Sequence, residues 1–125
     1  MIAQPYFQKM KDIRKIREEE KELILFLLNQ SNLNSEKYAF GEFVFEYEEG
    51  KMGSISFALP GKNEPEPIYD GDLIQVHYVD SDTTPVVITL TKDTRNHLLD
   101  LDFWKVDFSR LLHYPKPENI IFQNG

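Results

Sequence analysis

Cysteine is absent from all 125 residues. That excludes a disulfide framework, a thiolate nucleophile and a cysteine-ligated zinc site. It fits a reducing compartment, so a cytoplasmic protein is expected. Long apolar runs are also missing. The longest, LILFLL at residues 23–28, would span about 9 Å as helix against a bilayer core of roughly 30 Å. No membrane span is therefore expected. The first residues carry cations with no apolar stretch behind them, so a secretory signal is not expected either. Without one, the glycosylation sequon at Asn29-Gln30-Ser31 reads as chance.

Several chemical signatures are lacking. His77, His97 and His113 stand apart, in no His-x-His or His-Glu-x-x-His spacing, which disfavours a zinc enzyme. There is no Gly-x-Ser-x-Gly elbow. Gly50-Lys51-Met52-Gly53-Ser54 is too short for a P-loop and places its lysine before the second glycine; it reads as a hairpin turn. Three Asp-x-Asp pairs occur, Asp70/Asp72, Asp80/Asp82 and Asp100/Asp102. None continues into a calcium loop with its glycine and distal glutamate. No metal, cofactor or catalytic residue is assigned.

Cations are in short supply. Fourteen Lys and Arg face 21 Asp and Glu, for a net charge of −7. The imbalance is uneven, with six cations against five anions in residues 1–22 and eight against sixteen in the remainder. Such a body repels phosphate backbones, so nucleic acid is not the expected ligand. Acidity keeps a protein soluble, and it also speeds encounter with a basic protein.

What is present suffices for a core. Hydrophobic residues make up 41% of the chain and aromatics 13%, too many for disorder. A chain this long is expected to form one domain, residues 1–125 with a core over about 12–115. Residues 18–30, EEEKELILFLLNQ, predict a helix, because Leu23, Ile24, Leu27 and Leu28 share one face. Three glutamates suit its N-terminus and Gln30-Ser31-Asn32 its stop. Met10, Ile13 and Ile16 could extend the same face upstream, with Asp12 as an earlier cap; Arg17 is a poor one.

From residue 38 the period changes from 3.6 to 2. Phe43, Phe45 and Tyr47 alternate with Glu42, Val44, Glu46 and Glu48, which predicts a strand with aromatics inside and acids outside. A turn at Glu49-Gly50-Lys51 and a return strand through Ile55, Phe57 and Leu59 follow. Residues 72–80, 85–91 and 97–104 give three more strands, after a Pro-rich loop over 60–71. The order implies an α+β fold, an N-terminal helix packed on an antiparallel meander sheet of about five strands. One sheet face then has no helix to cover it.

That face carries the candidate site. In LLDLDFWKVDFS, residues 98–109, strand phase puts Leu99, Leu101 and Phe103 on one side and Asp100, Asp102 and Trp104 on the other. Two readings are open: a strand face in water, or a recognition patch in which Trp104 anchors and the carboxylates pair with a partner's cations. Glu46 and Glu48 would share that face. Acid–base chemistry by these carboxylates would need burial to raise one pKa, and nothing in the pattern requires it. Lys105 and Asp107 fall in phase with Leu101, so either the strand stops near Trp104, which is expected, or a buried ion pair forms.

The segments EEEKELILFLL, Met52-Gly53-Ser54 and Leu101-Asp102 with Trp104-Lys105-Val106-Asp107-Phe108-Ser109 resemble a family of small bacterial proteins catalogued as a domain of unknown function. The likeness spans roughly residues 14–115. The resemblance implies no established activity. Arg17 stands where that family usually has a Thr or Ser cap, and Glu49-Gly50-Lys51 where it has more glycine and aspartate. By analogy, small acidic α+β proteins of this look are often immunity proteins of toxin systems.

The expectation is a non-catalytic, immunity-like protein. It would bind a basic, toxin-like protein partner through Glu46, Glu48, Asp100, Asp102 and Trp104. The alternative is a small-ligand binder or enzyme with a pocket between helix and curled sheet, lined by Phe43, Phe45, Tyr47 and Phe57.

Overall fold

A computed structural model describes residues 13–30, 32–33, 36–47, 51–58 and 66–122. The expected features at Met10, Asp12, Glu48, the Glu49-Gly50 turn and Leu59 through residue 65 lie outside the described residues. In chain order the elements are β1 (Ile13–Lys15), α1 (Glu18–Gln30), β2 (Phe43–Glu46), β3 (Ile55–Phe57), β4 (Tyr69–Val79), β5 (Pro85–Asp93), β6 (Leu98–Lys105), a 3-10 turn (Pro117–Asn119) and β7 (Ile121–Phe122).

Helix α1 has the bounds its pattern predicts, and both ends are held by backbone chemistry. Arg17 is the residue before the first turn, and its own side chain does not cap. Instead the Glu20 carboxylate reaches back to accept the Arg17 N–H at 2.8 Å, half of a capping box. At the other end Asn32 takes φ +58, the Leu33 N–H donates to the Leu28 carbonyl at 3.0 Å and the Asn32 N–H to the Asn29 carbonyl at 3.3 Å. That is the Schellman termination that asparagine tolerates.

The sheet is α+β as expected and antiparallel between its named strands, but it has seven strands rather than about five, in the order β1-β2-β3-β6-β5-β4-β7. The two additions are short edges. β1 pairs with β2, so residues 13–15 form a strand rather than an upstream turn of α1. β7 pairs with β4 through only Val76 and His77. Nor is the path a simple meander. After the β2–β3 pair the chain crosses to β4 and returns through β5, so that β6 closes against β3, with Ile55 opposite Leu101 and Ser56 opposite Asp100.

The core lies between α1 and one face of this sheet. Leu23, Ile24, Leu27 and Leu28 are fully buried, together with Val44, Ile55, Val76, Ile88, Leu90, Leu101 and Phe103. Each such side chain contributes about 1.5–3 kcal/mol by leaving water. The C-terminal segment lies on the same side: Tyr114 packs on Phe103, and the Tyr78 hydroxyl donates to the His113 carbonyl at 3.0 Å. Among the described residues no helix packs on the opposite face.

Strand β2 alternates as expected, with its phase reversed. Val44 is fully buried, while Phe43 is exposed and Phe45 lies opposite Ser56 and so on the uncovered face. Strand β6 also continues one residue past the expected stop. Lys105 lies in the sheet with no exposed side-chain surface.

A candidate protein-binding face

Lys105 is buried because three acceptors meet its ammonium. Nζ donates to Asp80 Oδ2 at 2.9 Å, Asp82 Oδ2 at 2.8 Å and the Arg110 carbonyl at 2.9 Å. All three ammonium protons are thereby used, which is the condition for burying the charge. Asp80 in turn accepts the N–H groups of Ser81 (2.7 Å), Leu112 (2.7 Å) and His113 (3.0 Å). Burial opposes ionisation of Asp80, but the Leu112 N–H, the Lys105 ammonium and the Ser81 and His113 N–H groups outweigh it and hold the carboxyl at about 2. This hub clamps the β4–β5 turn, the end of β6 and residues 110–113 together. It fixes the loop that follows Trp104.

In that loop the Phe108 N–H donates to the Lys105 carbonyl at 2.8 Å, and Asp107 Oδ1 accepts both the Ser109 N–H (3.0 Å) and its hydroxyl (2.6 Å). Phe108 is left at φ +63, a left-handed conformation that bulky side chains rarely adopt. Its ring, 60% exposed, meets the 51% exposed Trp104 ring at a centroid distance of 5.3 Å.

The Met52-Gly53-Ser54 segment packs against the same stretch of β6. Met52 Sδ accepts the Lys105 N–H at 3.4 Å, and Ser54 Oγ accepts the Phe103 N–H at 2.8 Å. Gly53 takes φ +96, and a Cβ there would come within 3.0 Å of Leu111 Cδ2. Glycine is thus required by backbone and by space, with Leu111 and Phe103 as the close neighbours. Between the two segments lies a cleft of about 190 Å³, lined by Tyr47, Met52, Trp104 and Phe108, with Asp102 and Ser54 as polar members.

Of the five expected site residues, the structure brings three onto one face. Trp104 is exposed there, Asp102 is exposed as a residue while its carboxylate is partly desolvated by the cleft, and Asp100 is half-buried, accepting the Tyr47 hydroxyl at 2.9 Å. Glu46 lies in register with Ile55 and Leu101, on the helix side. There its carboxylate accepts Arg14 Nε at 2.5 Å, and Arg14 also grips Glu20 at 2.7 Å. Glu48 lies outside the described residues. Tyr47, expected as an inward-facing aromatic of β2, joins the site instead, and Met52 and Phe108 join it without any sequence period that singles them out.

Its electrostatics are one-sided. Among the described residues no Lys or Arg lies within ion-pair distance of Asp72, Asp100 or Asp102. Burial raises the Asp102 pKa, the Ser54 hydroxyl lowers it, and repulsion from Asp100 and Asp72 raises it further; the net shift is upward. Tyr47 is held well above its ordinary value, by burial first and then by the Asp100 charge.

Ser54 Oγ is buried, accepts the Phe103 N–H at 2.8 Å and donates toward the Asp102 carboxylate at 3.3 Å. The other Asp-x-Asp pairs have structural roles: Asp80 and Asp82 hold Lys105, Asp70 pairs with Lys92 at 2.6 Å, and Asp72 accepts the Tyr69 hydroxyl at 2.6 Å. Among the described residues no cluster of three or more His, Asp or Glu could hold a metal. Phe43, Phe45, Tyr47 and Phe57 do not converge on a pocket: the first three are on the uncovered face and Phe57 is in the core. Three described clefts measure about 150, 190 and 220 Å³, below the ~300 Å³ usual for small-molecule sites.

Residues 13–115 match the family described as domain of unknown function DUF6984. The chain belongs to that family. The match takes in every element from β1 through β6, and so the whole Lys105 hub and the Trp104 cleft, and ends before the 3-10 turn and β7. Family membership brings no assigned activity. No curated protein and no solved structure matches. No helix among the described residues is long and apolar enough to cross a membrane.

Proposed function

We propose that this DUF6984 protein is a non-catalytic binding module that receives a basic protein partner on the uncovered face of its sheet. The observation that carries the reading is the exposed Trp104–Phe108 pair on the same face as Asp102 and Asp100, carboxylates with no Lys or Arg within ion-pair distance among the described residues. An exposed Trp is the residue type that most often anchors an interface. Uncompensated carboxylates select a partner of opposite charge and speed its approach. The chain's net charge of −7 acts in the same direction. Size, acidity and fold class make an immunity-like role, occupying a basic toxin, the form of this reading we favour by analogy.

The test is association with cationic proteins, followed by calorimetry across a salt series. Binding is expected at 1:1, weakening as salt rises. Asp102→Lys should weaken it and flatten the salt slope, and Trp104→Ala should weaken it with the slope retained, both variants keeping the parent circular dichroism. Affinity and slope unchanged in both would eliminate this face as the binding surface.

A further inference from the structure

We infer that the cleft between Trp104, Phe108, Tyr47 and Asp102 receives one arginine side chain of the partner. This rests on the reading above and specifies the group that the face recognises.

Three features of the cleft select a guanidinium. First, its lining is mainly aromatic and thioether. Trp104, Phe108 and Tyr47 offer π-faces and Met52 a soft sulfur, a lining over which a cation is attracted and a planar guanidinium can stack. Second, the polar group in the lining that carries charge is the Asp102 carboxylate. Among the described residues its one hydrogen-bond donor is the Ser54 hydroxyl, at 3.3 Å. A carboxylate with open lone pairs beside aromatic rings offers a charge-assisted, two-point contact that Arg makes and Lys does not. Third, the site is built at a cost to the fold. Phe108 is a bulky residue in the left-handed region, its ring is mostly in water, and it is held there by the Lys105 carbonyl and the Asp107–Ser109 turn. Backbone strain that serves to present an exposed aromatic points to a ligand rather than to packing. A cleft of about 190 Å³ has room for a side chain, not for a peptide segment.

Trp104 is the sole tryptophan in the chain, so its fluorescence reports this cleft alone. The experiment uses the full protein and three synthetic peptides of the same length, alternating serine with arginine, lysine or citrulline. Association is followed by calorimetry and cleft occupancy by Trp104 emission. The arginine peptide should bind and shift the emission, and the lysine peptide should bind several-fold more weakly. The citrulline peptide, planar but uncharged, should not bind. Asp102→Asn, which keeps the side-chain shape, should weaken the arginine peptide roughly ten-fold or more. Asp70→Asn, at the remote Lys92 pair, should leave it unchanged. If the arginine peptide binds with unaltered emission and equally to Asp102→Asn, the cleft assignment is wrong while the acidic-face reading stands. Equal binding of the citrulline peptide would overturn the guanidinium assignment. No salt-sensitive association with arginine peptides or with cationic proteins would remove both.

Discussion

The Lys105 ammonium stands 2.9 Å from the Asp80 carboxylate, and neither side chain has any exposed surface. An ion pair so placed gives up the hydration of both charges, and only full hydrogen bonding compensates for that. Here the compensation is complete on the cation, with Asp82 and the Arg110 carbonyl as its other acceptors. Removing Lys105 leaves the Asp80 charge buried without its cation, and removing Asp80 leaves the half-buried Asp82 as the ammonium's one carboxylate among the described residues. Asp80→Asn should therefore cost about 3–5 kcal/mol. Lys105→Met should also destabilise, and the double variant should lose less than the two singles added together. Urea unfolding of the four proteins measures this, and strict additivity would show that the two residues act independently.

Asp80 also sets a pH dependence. Its carboxyl is held at about 2 against an ordinary 3.8. A depressed carboxyl contributes its full stability above the unfolded value and loses it as pH falls through the folded one. The loss should run from about pH 4 to pH 2. Asp82 and Asp107 shift the same way, through the Lys105 ammonium and through Ser109 respectively. The gap in unfolding free energy between the parent and Asp80→Asn should shrink steadily across that window. A gap that stays constant down to pH 2 would mean that the Asp80 charge is not what stabilises the hub.

How far this arrangement was legible in the sequence depends on the range of the forces involved. The apolar face, acidic first turn and stop of helix α1 were legible because they are local, while its start was left open to an extension upstream of Glu18. The rhythm of β2 was legible but its phase was not. Three aromatics opposite one valine point to an aromatic interior, yet Val44 is the buried residue, because pairing with β3 and β6 decides the face. That inversion carried Glu46 to the helix side, away from Asp100 and Asp102. Strand β1 was hidden because Ile13 and Ile16 are spaced as on a helix, and only pairing with β2 makes Ile13–Lys15 extended. Lys105 did leave a signal: a lysine in phase with Leu101 and Phe103 demands an anion. The partners are Asp80 and Asp82, 25 and 23 positions away, and not the nearby Asp107. Phe108 left no signal, since a left-handed aromatic has no pattern in sequence.

The turn that seats β6 should be equally sensitive. Ser54 Oγ is the acceptor for the Phe103 N–H at 2.8 Å in a buried place. Ser54→Ala leaves that donor unpaired and should cost about 1–3 kcal/mol. Gly53→Ala should cost roughly 1–2 kcal/mol from its left-handed backbone alone, and the 3.0 Å approach of Leu111 adds to it. Chemical denaturation midpoints report both. A neutral Gly53→Ala would show that the turn relaxes to another conformation.

Asp102 should behave in the opposite sense. Its pKa is raised, by burial and by repulsion from Asp100 and Asp72, so its ionisation works against the folded state at neutral pH. Asp102→Asn should be more stable than the parent at pH 7. The difference should fade on acidification, as the parent takes up its proton. It should also narrow with added salt, which screens the repulsion between partly exposed carboxylates. Unfolding at pH 7 and pH 4, each at low and high salt, checks this. A less stable Asp102→Asn at pH 7 would mean that its contact with Ser54 outweighs the repulsion and that the carboxylate is structural.

Phe108 separates the fold from the site most cleanly. Its left-handed backbone costs about 1 kcal/mol relative to a residue at ease there, and asparagine tolerates that region. The ring returns only a partial contact with Trp104, since both are largely exposed. Phe108→Asn should therefore leave stability within about 1 kcal/mol of the parent. It should also open the cleft, shift Trp104 emission to the red and weaken arginine-peptide binding. Loss of binding with stability intact is the signature of a residue kept for recognition. A Phe108→Asn protein that is destabilised by several kcal/mol would instead make the Trp104–Phe108 contact part of the packing that holds β6 in place, and the strain at φ +63 the consequence of that packing.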